Sequence, residues 1–144
     1  MRLVLDTNVV VSALLWKGAP RRLLRAAAVA GVELVTSEPL LAELADVLSR
    51  SKFKKSLGVL GVSSGELFVT YARQATMVQP AAVPRIAPDR DDDVVIGTAL
   101  AANANFVVTG DRTLLSVAKH EGVRIVSVGE ALEAVAQSLP QDAP

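Results

Sequence analysis

A chain of 144 residues and 15.1 kDa, 51% apolar and 21% charged with a mean hydropathy of +0.38, is long enough for one compact core and too apolar for wholesale disorder. Fifteen Lys and Arg balance fifteen Asp and Glu, which excludes a globally basic, histone-like binder but not a local basic patch. There is no cysteine and the only histidine is His120, so disulfides, thiolate chemistry and multi-histidine metal sites are excluded, and any ion must be held mainly by oxygen, which favours Mg²⁺ or Mn²⁺.

Leu3-Val4-Leu5 is a short apolar run ending at Asp6 and predicts a buried strand. Asp6 also interrupts any signal-peptide core at once, and no apolar stretch reaches the length of a membrane span; the expectation is a soluble cytoplasmic protein with no membrane partner. Asn8 to Trp16 reads as a helix opening directly after the strand, with Thr7 or Asn8 as its cap. Gly18-Ala19-Pro20 starts a second helix that stops near Gly31. Residues 32–36 predict a second strand, and Ser37 caps a helix with Pro39 in its first turn and Glu43 among its apolar positions.

Arg50 to Lys55 is basic, Gly58 to Gly65 is a turn, and Glu66 to Thr76 predicts another helix. Met77-Val78 is a weak strand, and Pro80, Pro84 and Pro88 make an extended connection into Asp89, Asp91, Asp92 and Asp93. A helix follows from Val95, then a strand over 106–109 running into Gly110-Asp111. A short helix ending near Gly122, a strand over 124–126 and a helix over 129–138 complete the pattern, with a frayed tail over 140–144. Strands alternating with helices predict a mostly parallel sheet covered on both faces, with ligands beyond the carboxyl ends of the strands.

Four acids from four distant segments stand out: Asp6, Glu43, Asp93 and Asp111. Each has a plain structural reading: a turn or cap for Asp6, a solvated helix face for Glu43, a favourable helix N-terminus for the Asp89–Asp93 cluster, a cap for Asp111. Together at one edge they imply more. Two carboxylates about 4 Å apart repel by roughly 4 kcal/mol at an effective dielectric near 20. Divalent metal is the natural counter-charge, and such ions activate water in phosphodiester hydrolysis.

Leu3-Val4-Leu5-Asp6-Thr7-Asn8, Leu41-Ala42-Glu43-Leu44, the run from Asp91 to Ala99, and Val107-Val108-Thr109-Gly110-Asp111 resemble, in order, the four motifs of PIN-domain nucleases, closest to the VapC-like toxins of bacterial toxin–antitoxin pairs. The resemblance spans roughly residues 1–127. It implies an α/β, three-layer sandwich with a parallel sheet of about five strands and helices on both faces. Residues 1–136 would form the single domain and 137–144 a flexible C-terminal tail. It implies a Mg²⁺- or Mn²⁺-dependent endoribonuclease in which Asp6 and Asp93 are the central metal ligands, Glu43 binds the ion or orients its water, and Asp111 contacts it directly or through water. Thr7 and Asn8 would position the scissile phosphate or the ligands. Asp92 could share or replace the role of Asp93. The resemblance also points to a homodimer and an antitoxin partner, the latter covering a groove near the first helices, Val9 to Arg25.

RNA contacts require cations, and two groups offer them: Arg21, Arg22 and Arg25 on one helix, and Arg50, Lys52, Lys54 and Lys55 after another. The alternative for both is a solvated, charged surface. Phe53 and Trp16 read more readily as packing or interface residues than as base platforms, His120 as an exposed residue near a helix end, and Thr109 as a strand-end hydrogen-bonding residue. Two rival functions are a phosphoryl-transfer protein on a similar sheet and a non-catalytic PIN-like RNA-binding module. The first wants a second aspartate where Asn8 stands, and neither a Gly-x-Gly-x-x-Gly fingerprint nor a Walker A motif occurs.

Overall fold

The computed structural model describes residues 1–84 and 90–139, with Arg90 and Asp91 as backbone. Pro88, Asp89 and the tail from Pro140 to Pro144 lie outside the described residues.

Hydrophobic alternation in the strands explains the layering. Strands β1 (Arg2–Leu5), β2 (Glu33–Thr36), β3 (Ala75–Met77), β4 (Phe106–Val108), β5 (Lys119–His120) and β6 (Val123–Val126) form a sheet in the order β3-β2-β1-β4-β6-β5. All pairings are parallel except β5 with β6. Side chains on a strand alternate between faces. Leu3, Leu5, Leu34, Val108 and Val126 enter one apolar cluster, and Val4, Val35, Val107 and Ile125 enter another. The central strands therefore bury both faces, as their unbroken apolar runs demand.

The first cluster is covered by α1 (Thr7–Leu15), α2 (Ala19–Ala30) and α8 (Val128–Ser138), through Val9, Val11, Leu23, Ala27, Ala131 and Val135. The second is covered by α6 (Arg90–Ala101), through Val95, Ile96 and Ala99, and by Leu114 of α7 (Arg112–Leu115). Helix α3 (Glu38–Leu48) bridges the layers, with Leu41 and Leu44 in the first cluster and Leu40 in the second. A 3-10 turn (Ser51–Phe53), α4 (Lys54–Leu60) and α5 (Ser64–Gln74) connect α3 to β3.

Two expectations change. The helix drawn from Leu114 toward Gly122 ends at Leu115; the chain then turns through Ala118 at positive φ and adds Lys119–His120 as an antiparallel edge strand. His120 is therefore half-buried on a strand rather than exposed near a helix end. The five expected parallel strands are all present, and this short strand adds a sixth, antiparallel one at the edge. Helix α8 ends at Ser138, as the helix expected over 129–138 does.

Candidate active site at the carboxyl edge of the sheet

Register decides what meets at the strand ends. Leu5 of β1 pairs with Val108 of β4, so the next residues outward are Asp6 and Thr109. By alternation both point to the α6 face, as do Val4 and Val107 below them. The Thr109 hydroxyl donates to Asp6 Oδ2 at 2.7 Å, and the Thr7 N–H donates to Oδ1 at 2.8 Å. Of the three residues offered as cap for α1, it is Asp6 that serves, not Thr7 or Asn8. The Asp111 N–H donates back to the Thr109 hydroxyl at 3.0 Å, while the Asp111 carboxylate caps α7 through the Thr113 N–H at 2.9 Å.

Asp6 is only 8% exposed. Burial is the largest influence on it and pushes its carboxyl above the usual range. The Thr109 and Thr7 hydrogen bonds pull the other way, and the Asp111 charge adds to the upward push. Asp6 and Asp111 therefore act on one another across the mouth of the sheet.

The direction of α6 brings a third segment to the same edge. Its C-terminal end is tied to the start of β1: the Arg2 guanidinium donates to the Ala102 carbonyl at 2.7 Å, and Arg2 and Asn105 exchange further bonds. From Ala102 back to Asp93 is about 13 Å of helix axis, and from Arg2 out to Asp6 is about 13 Å of strand. The N-terminal turn of α6 therefore stands level with Asp6. Asp92 and Asp93 are both buried there, each 8% exposed. The Ser37 hydroxyl, beyond the end of β2, meets the Thr98 hydroxyl of α6 at 2.9 Å, and Thr98 donates to the Val94 carbonyl at 2.8 Å. Ser37 stands at the N-cap of α3, but its side chain serves this buried bond and not the cap expected of it. Both hydroxyls are fully buried.

Half-buried Glu43 projects from α3 beside Pro39, Leu40 and Val94, around a cleft of about 140 Å³. The cleft joins α3 to α6 one residue from Asp93. Thr7 is buried in the first turn of α1, and Asn8 beside it is exposed. Among the described residues, no group of three or more His, Cys, Asp or Glu side chains is gathered closely enough to hold an ion. Of the four candidate acids, Asp6 and Asp111 act on one another, while Glu43 and Asp93 belong to α3 and α6.

The basic residues lie elsewhere. The Arg21 guanidinium donates to the Ala13 and Leu14 carbonyls at 3.0 Å each, closing the end of α1. Arg22 and Arg25 are exposed on α2. Lys52, Lys54 and Lys55 are exposed around Phe53, and Arg50 pairs with Asp46 at 3.2 Å. Phe53 is buried packing, as expected.

Residues missed as members of the site are Ser37 and Thr98, and Thr109 was read only as a strand-end donor. A hydroxyl two positions before Asp111, at the end of an apolar strand, was the available signal for Thr109. Nothing local marks Ser37 and Thr98 as partners, since they are 61 residues apart.

The sequence profile of the PIN domain family matches residues 2–113, which include all four candidate acids. No curated protein sequence matches the chain. Among solved structures, the fold is similar to a chain of the VapBC2 crystal structure from Rickettsia felis, solved bound to a DNA fragment from the promoter; the TM-score is 0.62 at 17% identity, over 88% of this chain and 98% of that one. That second likeness is one of fold. The profile match covers most of the chain, and the protein belongs to the PIN domain family.

Proposed function

We propose that the protein is a divalent-metal-dependent endoribonuclease, the toxin component of a toxin–antitoxin pair. The observation that carries this reading is the state of Asp6: a buried carboxylate, held by two donors, pushed up by burial and by Asp111. A group placed that way is costly in the free protein and suits a cation brought from outside.

The donor chemistry fits a hard ion, because every candidate ligand is an oxygen. Asp6 and Asp93 would hold Mg²⁺ or Mn²⁺, with Glu43, Asp111 and Asp92 as further ligands, directly or through water. When bound, such an ion supplies an activated water and neutralises charge on the phosphate and leaving oxygen. The chain's own residues set the stage. Thr109 fixes the Asp6 rotamer through Oδ2 and leaves its second lone pair free for coordination. The Ser37–Thr98 bond fixes α6 against β2 and so the height of Asp93. Asn8, exposed in the first turn of α1, is placed to donate its amide to a phosphate oxygen, and Thr7 stiffens the carboxylate beside it. The similarity to a VapBC2 chain supports an antitoxin partner, and we place it over the first helices, 9–25. A homodimer belongs to the same reading, as does a cytoplasmic site of action.

Purified protein incubated with structured RNAs should cut them with Mn²⁺ or Mg²⁺ and not with EDTA, leaving 5′-phosphates. Asp6→Asn and Asp93→Asn should each abolish cutting with the fold intact. Full activity in either variant, or in EDTA, rejects the assignment.

A further inference from the structure

The cations of this neutral chain are not spread evenly. Residues 7–32 hold Lys17, Arg21, Arg22 and Arg25 with no Asp or Glu, and residues 47–65 hold Arg50, Lys52, Lys54 and Lys55, again with none. Eight of the fifteen cations therefore fall in two acid-free segments. The fold packs these segments together: α1 lies against α2 and α4. At the seam stands Trp16, 46% exposed, at the end of α1, where the backbone turns extended. The Phe53 ring supports it at 5.9 Å and a tilt of 55°, and Lys52 Nζ sits 5.1 Å from the centre of the Phe53 ring. Lys17, Lys54 and Lys55 are exposed nearby in sequence.

An exposed indole braced from beneath and flanked by acid-free basic sequence suits a ligand that is flat, aromatic and anionic along its length. A duplex would satisfy the charge but hide its bases, whereas a single strand offers both a free aromatic face and phosphates; an antitoxin covering residues 9–25 would compete with it for the same indole. We propose that Trp16 is a stacking platform for a base of single-stranded RNA, with Lys17, Lys52, Lys54 and Lys55 neutralising the flanking phosphates. Helix α1 runs from its cap Asp6 to Trp16, about 15 Å, so the platform would grip the strand one helix length from Asp6. This inference rests on the ribonuclease reading and adds to it how the substrate is held.

Trp16 is the only tryptophan, so its fluorescence reports the site directly. Oligouridylate titrated into the intact protein in EDTA, where nothing is cut, should quench that emission saturably. A duplex of equal length should bind with little quenching. Trp16→Ala should weaken single-strand binding by roughly five- to a hundred-fold, with Trp16→Phe retaining part of it. Lys52→Ala and Lys54→Ala, both at exposed positions, should each lower the slope of log affinity against log salt by about 0.7, the value for one phosphate no longer neutralised on a single strand. Equal affinity in folded Trp16→Ala and wild type, equal quenching by duplex, or quenching that tracks protein concentration without RNA would each overturn the platform. Asp6-dependent cutting that is insensitive to Trp16→Ala removes the platform and leaves the nuclease reading standing. Quenching with the stated pattern but no metal-dependent cutting does the reverse.

Discussion

Asp6 performs two tasks whose demands conflict. As the cap of α1 it is best ionised, and the Thr7 N–H and Thr109 hydroxyl favour that form. As a buried group facing Asp111 it is best neutral, and burial dominates. An acid whose folded pKa lies above its unfolded value binds more protons folded than unfolded, so its ionisation detracts from stability as pH rises from the unfolded value through the folded one. Asp6→Asn keeps one oxygen to cap α1, turns the other into an amide N–H₂ that donates to the Thr109 hydroxyl where Asp6 accepted from it, and removes the charge. In EDTA its melting temperature should exceed that of wild type at pH 7, and the gap should close toward pH 4. A variant less stable than wild type at neutral pH would contradict this electrostatic account. Thr109→Val removes the donor to Asp6 and the acceptor of the Asp111 N–H together. It should cost about 1–3 kcal/mol in urea unfolding and lower cleavage as well.

Helix α6 illustrates how an element sets the geometry of a side chain. Its C-terminal end is anchored at Arg2, its middle at Ser37, and its outer side carries the connection from β3, where Ala81 N–H donates to the Gly97 carbonyl at 3.0 Å. The Ala81 carbonyl lies where a side chain on residue 97 would begin, which explains a glycine in mid-helix. Gly97→Ala improves helix propensity by up to about 1 kcal/mol, yet the clash is with backbone and the net effect should be a loss of roughly 1–2 kcal/mol, read from chemical denaturation. By contrast, Ser127 forms a capping box with Glu130 at the start of α8, on the far side of the sheet from α6. Ser127→Ala should cost about 1 kcal/mol and leave cleavage per folded molecule unchanged. If activity fell with it, α8 would be coupled to the site in a way its position does not suggest.

At the scale of the whole molecule, Asp6 and Asp111 meet at the carboxyl ends of β1 and β4, while the two acid-free segments pack together through α1, α2 and α4. An ion that binds the folded chain and not the unfolded one stabilises by mass action, by about 2.7 kcal/mol at a hundred times its dissociation constant. Mn²⁺ should therefore raise the melting temperature of wild type and fail to do so for Asp6→Asn; an equal rise in both would place the ion elsewhere. Several apolar side chains remain exposed on the single chain, Val29 and Val59 most fully. Light scattering coupled to size exclusion should show a homodimer, and monomer at high concentration would refute it. No helix among the described residues is long and apolar enough to cross a membrane.

Strand order along the chain, the two-faced burial of β1 and β4, and the candidate acids were legible in the sequence because each is carried by local patterning. Leu3-Val4-Leu5 or Val107-Val108 advertises a buried strand in a few residues, and a carboxylate after such a strand is visible without knowing its neighbours. The edge strand at Lys119–His120 was not legible, because two residues carry no period and their pairing with Val123 and Arg124 is made by a turn through positive φ. Nor were the partnerships of Thr109 with Asp6, Ser37 with Thr98, or Gly97 with Ala81. Hydrogen bonds and close approaches form across register and layer, between positions whose separation along the chain says nothing of their distance in space. Local chemistry named the groups; packing chose which of them face one another.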